Sequence, residues 1–193
     1  TFESLHKRGY RPAVGNAPLK ENLASGLLKM TEWKGTKPLV DLMCGSGTFL
    51  IEAINQIFKV PLKFQQFYLF ENWLDFNKCI YLEEKNNAQK RVITFERLSK
   101  IIGCEINKDV FDQAKVNIKL AGLENYIELQ NNDFKNIQFK SPEGLVLCNP
   151  PYGKKLGDEN ELINLYEDMG EFLKRNFSGW EFWLLSGNPK LTR

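Results

Sequence analysis

A single histidine, His6, and four scattered cysteines with no Cys-x-x-Cys pair leave this chain without metal-ligand spacing, so no bound metal is expected. Cys44, Cys79, Cys104 and Cys148 read instead as buried, reduced thiols of a cytoplasmic protein. No apolar run approaches the ~20 residues that cross a bilayer, which excludes a membrane-spanning helix. The first residues, TFESLHKRGYR, are polar and basic, unlike a signal peptide. An excess of charge of one sign is also nearly absent: 26 Lys and Arg against 24 Asp and Glu give +2, too little to announce a nucleic-acid binder. The distribution says more, because His6, Lys7, Arg8 and Arg11 cluster without an acid, and Lys154-Lys155 form a second basic pair. Either is an ordinary solvated surface unless both flank one pocket. The 193 residues, 42% hydrophobic, suffice for one domain with a full core.

What is present is organised around Asp41 to Thr48, DLMCGSGT. Pro38-Leu39-Val40 leads in as the end of a buried strand, and Phe49, Leu50, Ala53, Ile54 and Ile57 then recur at helical spacing. A strand that breaks at glycines and passes into a helix aims backbone N–H groups at a small anionic or dipolar ligand. A P-loop would need Gly-Lys-Ser/Thr, but Gly47 is followed by Thr48 and Phe49. A dinucleotide fingerprint would need a third glycine where Leu50 stands. There remain the adenosylmethionine turn, acidic residue then Gly-x-Gly, and a plain tight strand-to-helix turn.

In chain order, residues 1–37 read as an extension and a helix, capped by Asn16 with Pro18 in its first turn and Leu19, Leu23 and Leu27 or Leu28 on one face. Residues 58–100 are aromatic- and Lys/Asn-rich and read as an insertion whose later half, from about Asp75 to Lys100, forms one long helix. A lid over substrate and ordinary aromatic packing are both open there. Ile101 to Glu105 is a second strand, and Asn107 and Gly122 bound a helix bearing Phe111, Ala114, Ile118 and Ala121. Tyr126–Gln130, Gly144–Cys148 and Trp180–Leu185 are further strands, with a helix carrying Leu162, Leu165, Tyr166, Met169, Phe172 and Leu173 before the last. Alternation of strands and helices predicts an α/β fold, a mostly parallel sheet covered on both faces.

Ligands of such sheets sit beyond the carboxyl ends of the strands, where Asp41, Glu105, Asp133 and Asn149 all fall. Glu105 can accept both hydroxyls of a ribose, or be an exposed loop acid. Asp133 with Phe134 offers an acceptor and a ring to an adenine, or an Asx turn. In Asn149-Pro150-Pro151-Tyr152 two prolines remove two N–H donors and stiffen the chain. The Asn149 side-chain carbonyl and a backbone carbonyl can then hold an exocyclic amine by its hydrogens, while Tyr152 offers a stacking face.

In this order, DLMCGSGT, Glu105, Asn131-Asn132-Asp133 and NPPYG resemble class I adenosylmethionine-dependent methyltransferases of amino nitrogens, which share a Rossmann-like fold. His6-Lys7-Arg8-Gly9-Tyr10-Arg11, Ala17-Pro18-Leu19-Lys20-Glu21 and Phe70-x-x-Trp73 are similar, more narrowly, to the THUMP-associated, UPF0020-like RNA methyltransferases. Within these the resemblance is to the bacterial branch that methylates a guanine 2-amino group in 23S rRNA, whose members are often labelled adenine-specific DNA methylases. The resemblance implies S-adenosyl-L-methionine as cofactor, held by Asp41, Cys44, Gly45, Ser46, Gly47, Thr48, Glu105, Ile106, Asp133, Phe134 and Asn149. It assigns Asn149, Pro150, Pro151 and Tyr152 to the target base, and RNA contacts fall to Arg8, Arg11, Lys154 and Lys155. Leu42 stands where relatives commonly have proline. An upstream THUMP domain and a closing hairpin after the fifth strand are also implied, so residues 1–193 are expected to be a piece of a longer protein. Alternatives are methylation of adenine in DNA or RNA, of a protein glutamine, or a non-catalytic RNA-binding module.

Overall fold

The computed structural model describes residues 8–10, 19–60, 69–92, 98–137, 139–152 and 159–192. Five strands, β1 (Leu39–Asp41), β2 (Ile101–Cys104), β3 (Ile127–Gln130), β4 (Leu145–Cys148) and β5 (Glu181–Leu184), form one sheet in the order β3-β2-β1-β4-β5. Every pairing is parallel. The expected α/β architecture is therefore present, and all strand ends that carry polar residues open on the same side.

Alternation along β1 sorts the core into two layers. Leu39 is level with Ile101 and Leu145, and these join the cluster built with helices α1 (Glu21–Met30) and α2 (Thr48–Ile57). Val40 is level with Ile102 and Val146 and joins the opposite cluster, which holds Tyr166, Met169 and Phe172 of helix α5 (Glu159–Asn176). Strand β1, buried on both faces, is the fixed centre from which the glycine turn projects.

Local chemistry explains the other elements. Asn107 caps α4 (Lys108–Ala121) by accepting from the N–H groups of Asp109 and Val110, and Gly122 ends it at φ 71°. Helix α1 departs from expectation: it begins at Glu21, after Lys20, and buries Ala24 and Leu28 while Leu23 is exposed. The leucine spacing predicts Leu23 on the inner face, but it is the small Ala24 that joins the cluster shared with α2. The proposed cap, Asn16, and Pro18 lie outside the described residues.

In the insertion, α3 (Lys78–Lys90) is shorter than the helix expected from Asp75 to Lys100, ending at Arg91, and it has no buried residue. Asn77 caps it by accepting from the N–H of Cys79 and of Ile80. Cys79 is exposed, against the expectation that all four thiols are buried. Phe70, in a single 3-10 turn at Leu69–Asn72, meets the rings of Trp73, Phe76 and Tyr81 at centroid distances of 5.5–6.3 Å. The aromatics thus pack on one another. No helix among the described residues is long and apolar enough to cross a membrane. Nor is there among them a group of three or more His, Cys, Asp or Glu that could hold a metal ion.

Candidate functional site

The turn after β1 is held from below, from the side and from behind. Asp41 is buried beneath it, with Oδ1 accepting from the N–H of Met43 at 3.2 Å. Burial pushes the Asp41 carboxyl up to about 7, Glu105 adds to the rise, and the Met43 N–H and the Cys148 thiol moderate it. The N–H of Cys44 donates to the carbonyl of Cys104 at 2.8 Å, lashing the turn to the end of β2. Gly47 closes it, with its N–H on the carbonyl of Cys44 and a left-handed φ of 83° that leads into α2.

Two side chains from outside the turn complete its support. The N–H of Gly45 donates to Oε2 of Glu105 at 3.0 Å, while the N–H of Asn107 donates to Oε1 at 2.8 Å. Asn117, buried in α4, donates its amide to the carbonyl of Ser46 at 3.0 Å. Sequence reading missed Asn117, since a polar residue in mid-helix reads as surface; its place on the Phe111, Ala114, Ile118 face was the available signal.

Between the ends of β1, β2, β3 and β4 lies a cavity of about 540 Å³, within the range that suits a cofactor-sized ligand. Of the expected residues it is lined by Gly45, Glu105, Ile106, Asp133, Phe134, Asn149, Pro150, Pro151 and Tyr152. Leu42, Met43, Val110, Asn132 and Leu165 line it as well, and sequence reading assigned them no part in it. Asp41 ends β1, Cys44, Ser46 and Gly47 lie in the turn, and Thr48 begins α2; none of these forms the wall. Burial pushes the Cys44 and Cys148 thiols well up, so both stay protonated.

Three walls carry distinct chemistry. Glu105 keeps lone pairs beyond those that hold Gly45 and Asn107, since a carboxylate offers about four acceptor sites. Asp133 accepts from the N–H of Lys135 at 2.9 Å, an Asx turn that fixes the carboxylate at the cavity beside the buried ring of Phe134. The Asx turn is thus formed, with the carboxylate left at the cavity wall. Oδ1 of Asn149 is shielded from solvent and has no hydrogen-bond partner among the described residues. An orphaned carbonyl in the wall of a cavity is an acceptor in want of a donor.

Arg8 turns inward, its Nε 3.0 Å from Oε1 of Glu52 on α2, which also accepts from the Tyr10 hydroxyl at 2.9 Å. Arg8 is not in the cavity wall. Arg11, Lys154 and Lys155 lie outside the described residues.

Comparison with known proteins agrees with this fold. The Synechocystis protein slr0064, provisionally named an RNA methyltransferase, is 41% identical over 194 residues, covering 98% of this chain and 50% of the relative. The ribosomal RNA large subunit methyltransferase K/L of Chromohalobacter salexigens is 38% identical over 200 residues, covering 97% of this chain and 27% of that protein. The chain thus spans half or less of the length of these relatives. Among solved structures, SMU.472, provisionally described as a methyltransferase and crystallised with SAH, superposes with a TM-score of 0.87 at 29% identity over 97% of this chain and 48% of that one. A protein from Listeria monocytogenes, described as a predicted N6-adenine-specific DNA methylase, gives 0.85 at 34% identity over 97% and 49%. Residues 8–193 match the family model UPF0020, RMKL-like methyltransferase domain, and the chain belongs to that family.

Proposed function

We propose that this domain transfers a methyl group from S-adenosyl-L-methionine to an exocyclic amino nitrogen of an RNA base, namely the 2-amino group of a guanine in 23S rRNA. The observation that carries the reading is the orphaned Asn149 carbonyl, set in one cavity with Glu105 and Asp133 and followed by two prolines. The glycine turn fits the cofactor: an added Cβ on Gly45 would meet no atom within 4 Å, so the backbone there borders open space. Glu105 would take the ribose hydroxyls, and Asp133 with Phe134 the adenine. The SAH held by SMU.472 and the RNA methyltransferase names of the Synechocystis and Chromohalobacter proteins support the cofactor and the substrate class.

The cofactor supplies a methyl group already activated on a sulfonium centre. Asn149 and a backbone carbonyl of the Pro150-Pro151 segment would accept the two amine hydrogens, which turns the nitrogen lone pair toward the methyl carbon. Tyr152 would stack on the base. The N–C bond would form at the expense of the donor's C–S bond, whose electron pair would return to sulfur. The nitrogen then releases a proton to water. No ionised base is required, and rate enhancement comes from positioning and fixed dipoles. In the same reading the domain is the catalytic part of a longer cytoplasmic protein whose THUMP domain engages the RNA.

Incubation with methyl-labelled S-adenosylmethionine and ribosomal RNA, followed by nucleoside analysis, tests this. N2-methylguanosine is expected, and Asn149→Ala should abolish transfer while leaving cofactor affinity near normal. Label in N6-methyladenosine would replace guanine by adenine as target. Retained turnover in Asn149→Ala would sink the mechanism.

A further inference from the structure

We propose that Gly187, in the loop that follows β5, is a positioning residue that sets the orientation of the Tyr152 ring and so shapes the seat of the target base. The inference rests on reading Asn149 to Tyr152 as that seat. A Cβ placed on Gly187 would stand 2.6 Å from Cδ2 and 2.8 Å from Cε2 of Tyr152, well inside contact distance. Gly187 is absent from the glycines of positive φ, so its backbone does not demand glycine. The ring does: a methyl group at this position would push Tyr152 from where it lies.

A backstop orients a ring only if it is itself fixed, and this loop is. The N–H of Leu185 donates to the carbonyl of Cys148 at 3.0 Å, which registers the loop against the residue just before Asn149. The hydroxyl of Ser186 is saturated. It donates to the carbonyl of Asn188 at 3.1 Å, and accepts from the N–H of Asn188 at 3.1 Å and from the Tyr166 hydroxyl at 3.4 Å. Tyr166 comes from α5, and burial pushes its phenol further up, so it remains a donor. Strand β4, strand β5 and helix α5 thus converge behind one ring. Tyr152 is 39% exposed and forms part of the cavity wall, where a ligand in the cavity would meet it.

The test compares the wild type, Gly187→Ala, Tyr152→Ala and the double variant. It reads turnover and KM on ribosomal RNA, calorimetric affinity for S-adenosylhomocysteine, and the Tyr152 ring resonance in 13C-tyrosine-labelled protein, assigned with Tyr152→Phe. Gly187→Ala should lower turnover on the order of tenfold to a hundredfold. It should also leave S-adenosylhomocysteine affinity unchanged, move the Tyr152 resonance and cause no further loss when added to Tyr152→Ala. Wild-type turnover, an equal loss in the Tyr152→Ala background, or an unmoved resonance overturns the proposal. If the wild type methylates no RNA, the reading of the site fails, and the resonance alone then decides the positioning. Should Gly187→Ala not fold, Ser186→Ala, which loosens the loop without adding bulk, is expected to show the same dependence on Tyr152. A loss independent of Tyr152 there again overturns it.

Discussion

The backbone N–H of Gly45 and the carboxylate of Glu105, 60 residues apart in the chain, meet at 3.0 Å. The glycine turn and the acid at the end of β2 are therefore one unit. Anything that displaces one should be felt by the other, and Asn117 secures the same turn from α4.

Asn117→Ala should weaken S-adenosylhomocysteine binding several-fold and cost about 1–2 kcal/mol of stability, since it strips a donor from the part-buried Ser46 carbonyl. Asn117→Asp should be worse, because it faces that carbonyl with a second acceptor. Calorimetry and urea denaturation check the ranking; equal effects of the two would show that the bond is not what matters.

Asp41 makes stability depend on pH in an unusual sense for a carboxylate. Its folded value is raised to about 7 from 3.8, so folding favours the protonated form. The contribution is fully present below about 4, is lost as pH rises toward 7, and then levels off. The total approaches roughly 4 kcal/mol at most, taking about 1.4 kcal/mol per pH unit. Asp41→Asn should flatten the wild-type decline in thermal midpoint over that interval. Parallel pH profiles for the two proteins would place the decline elsewhere.

Arg8→Ala should destabilise the domain by about 3 kcal/mol, because Glu52 would be left buried without its cation. Glu52→Gln should be milder, as it retains an acceptor for the Tyr10 hydroxyl. A loss of RNA affinity at unchanged stability would instead put Arg8 on the nucleic acid.

Phe70→Ala should release the aromatic cluster with Trp73, Phe76 and Tyr81 yet leave the thermal midpoint of the main core nearly unmoved. No residue of α3 is buried in that core. Proteolysis within residues 69–92 should accelerate while S-adenosylhomocysteine affinity holds. A matching fall in affinity would tie the insertion to the cofactor site.

Much of this architecture was legible because local signals and burial agree. Asn107 and Gly122 mark both ends of α4, and the short apolar runs at Leu39, Ile101 and Leu145 are buried strands. What escaped were polar groups buried by tertiary pairing. Asn117 and Glu52 look like helix surface until the Ser46 carbonyl or Arg8 and Tyr10 are brought to them. Asp41 sits at the strand end as expected, but its side chain is buried, accepts from the N–H of Met43 and is not in the cavity wall. The strand end was readable; the depth of its side chain depends on Met43 folding over it. In α1 leucine spacing misled, because helix–helix approach favours Ala24 over the larger Leu23.

The most direct test is calorimetric titration of S-adenosylhomocysteine into the wild type and Glu105→Ala. Glu105 both lines the cavity and holds Gly45, so the account predicts micromolar binding that weakens on the order of a hundredfold in the variant, about 2.7 kcal/mol. Binding that is equally tight in a folded Glu105→Ala protein would contradict the assignment of this cavity to the cofactor.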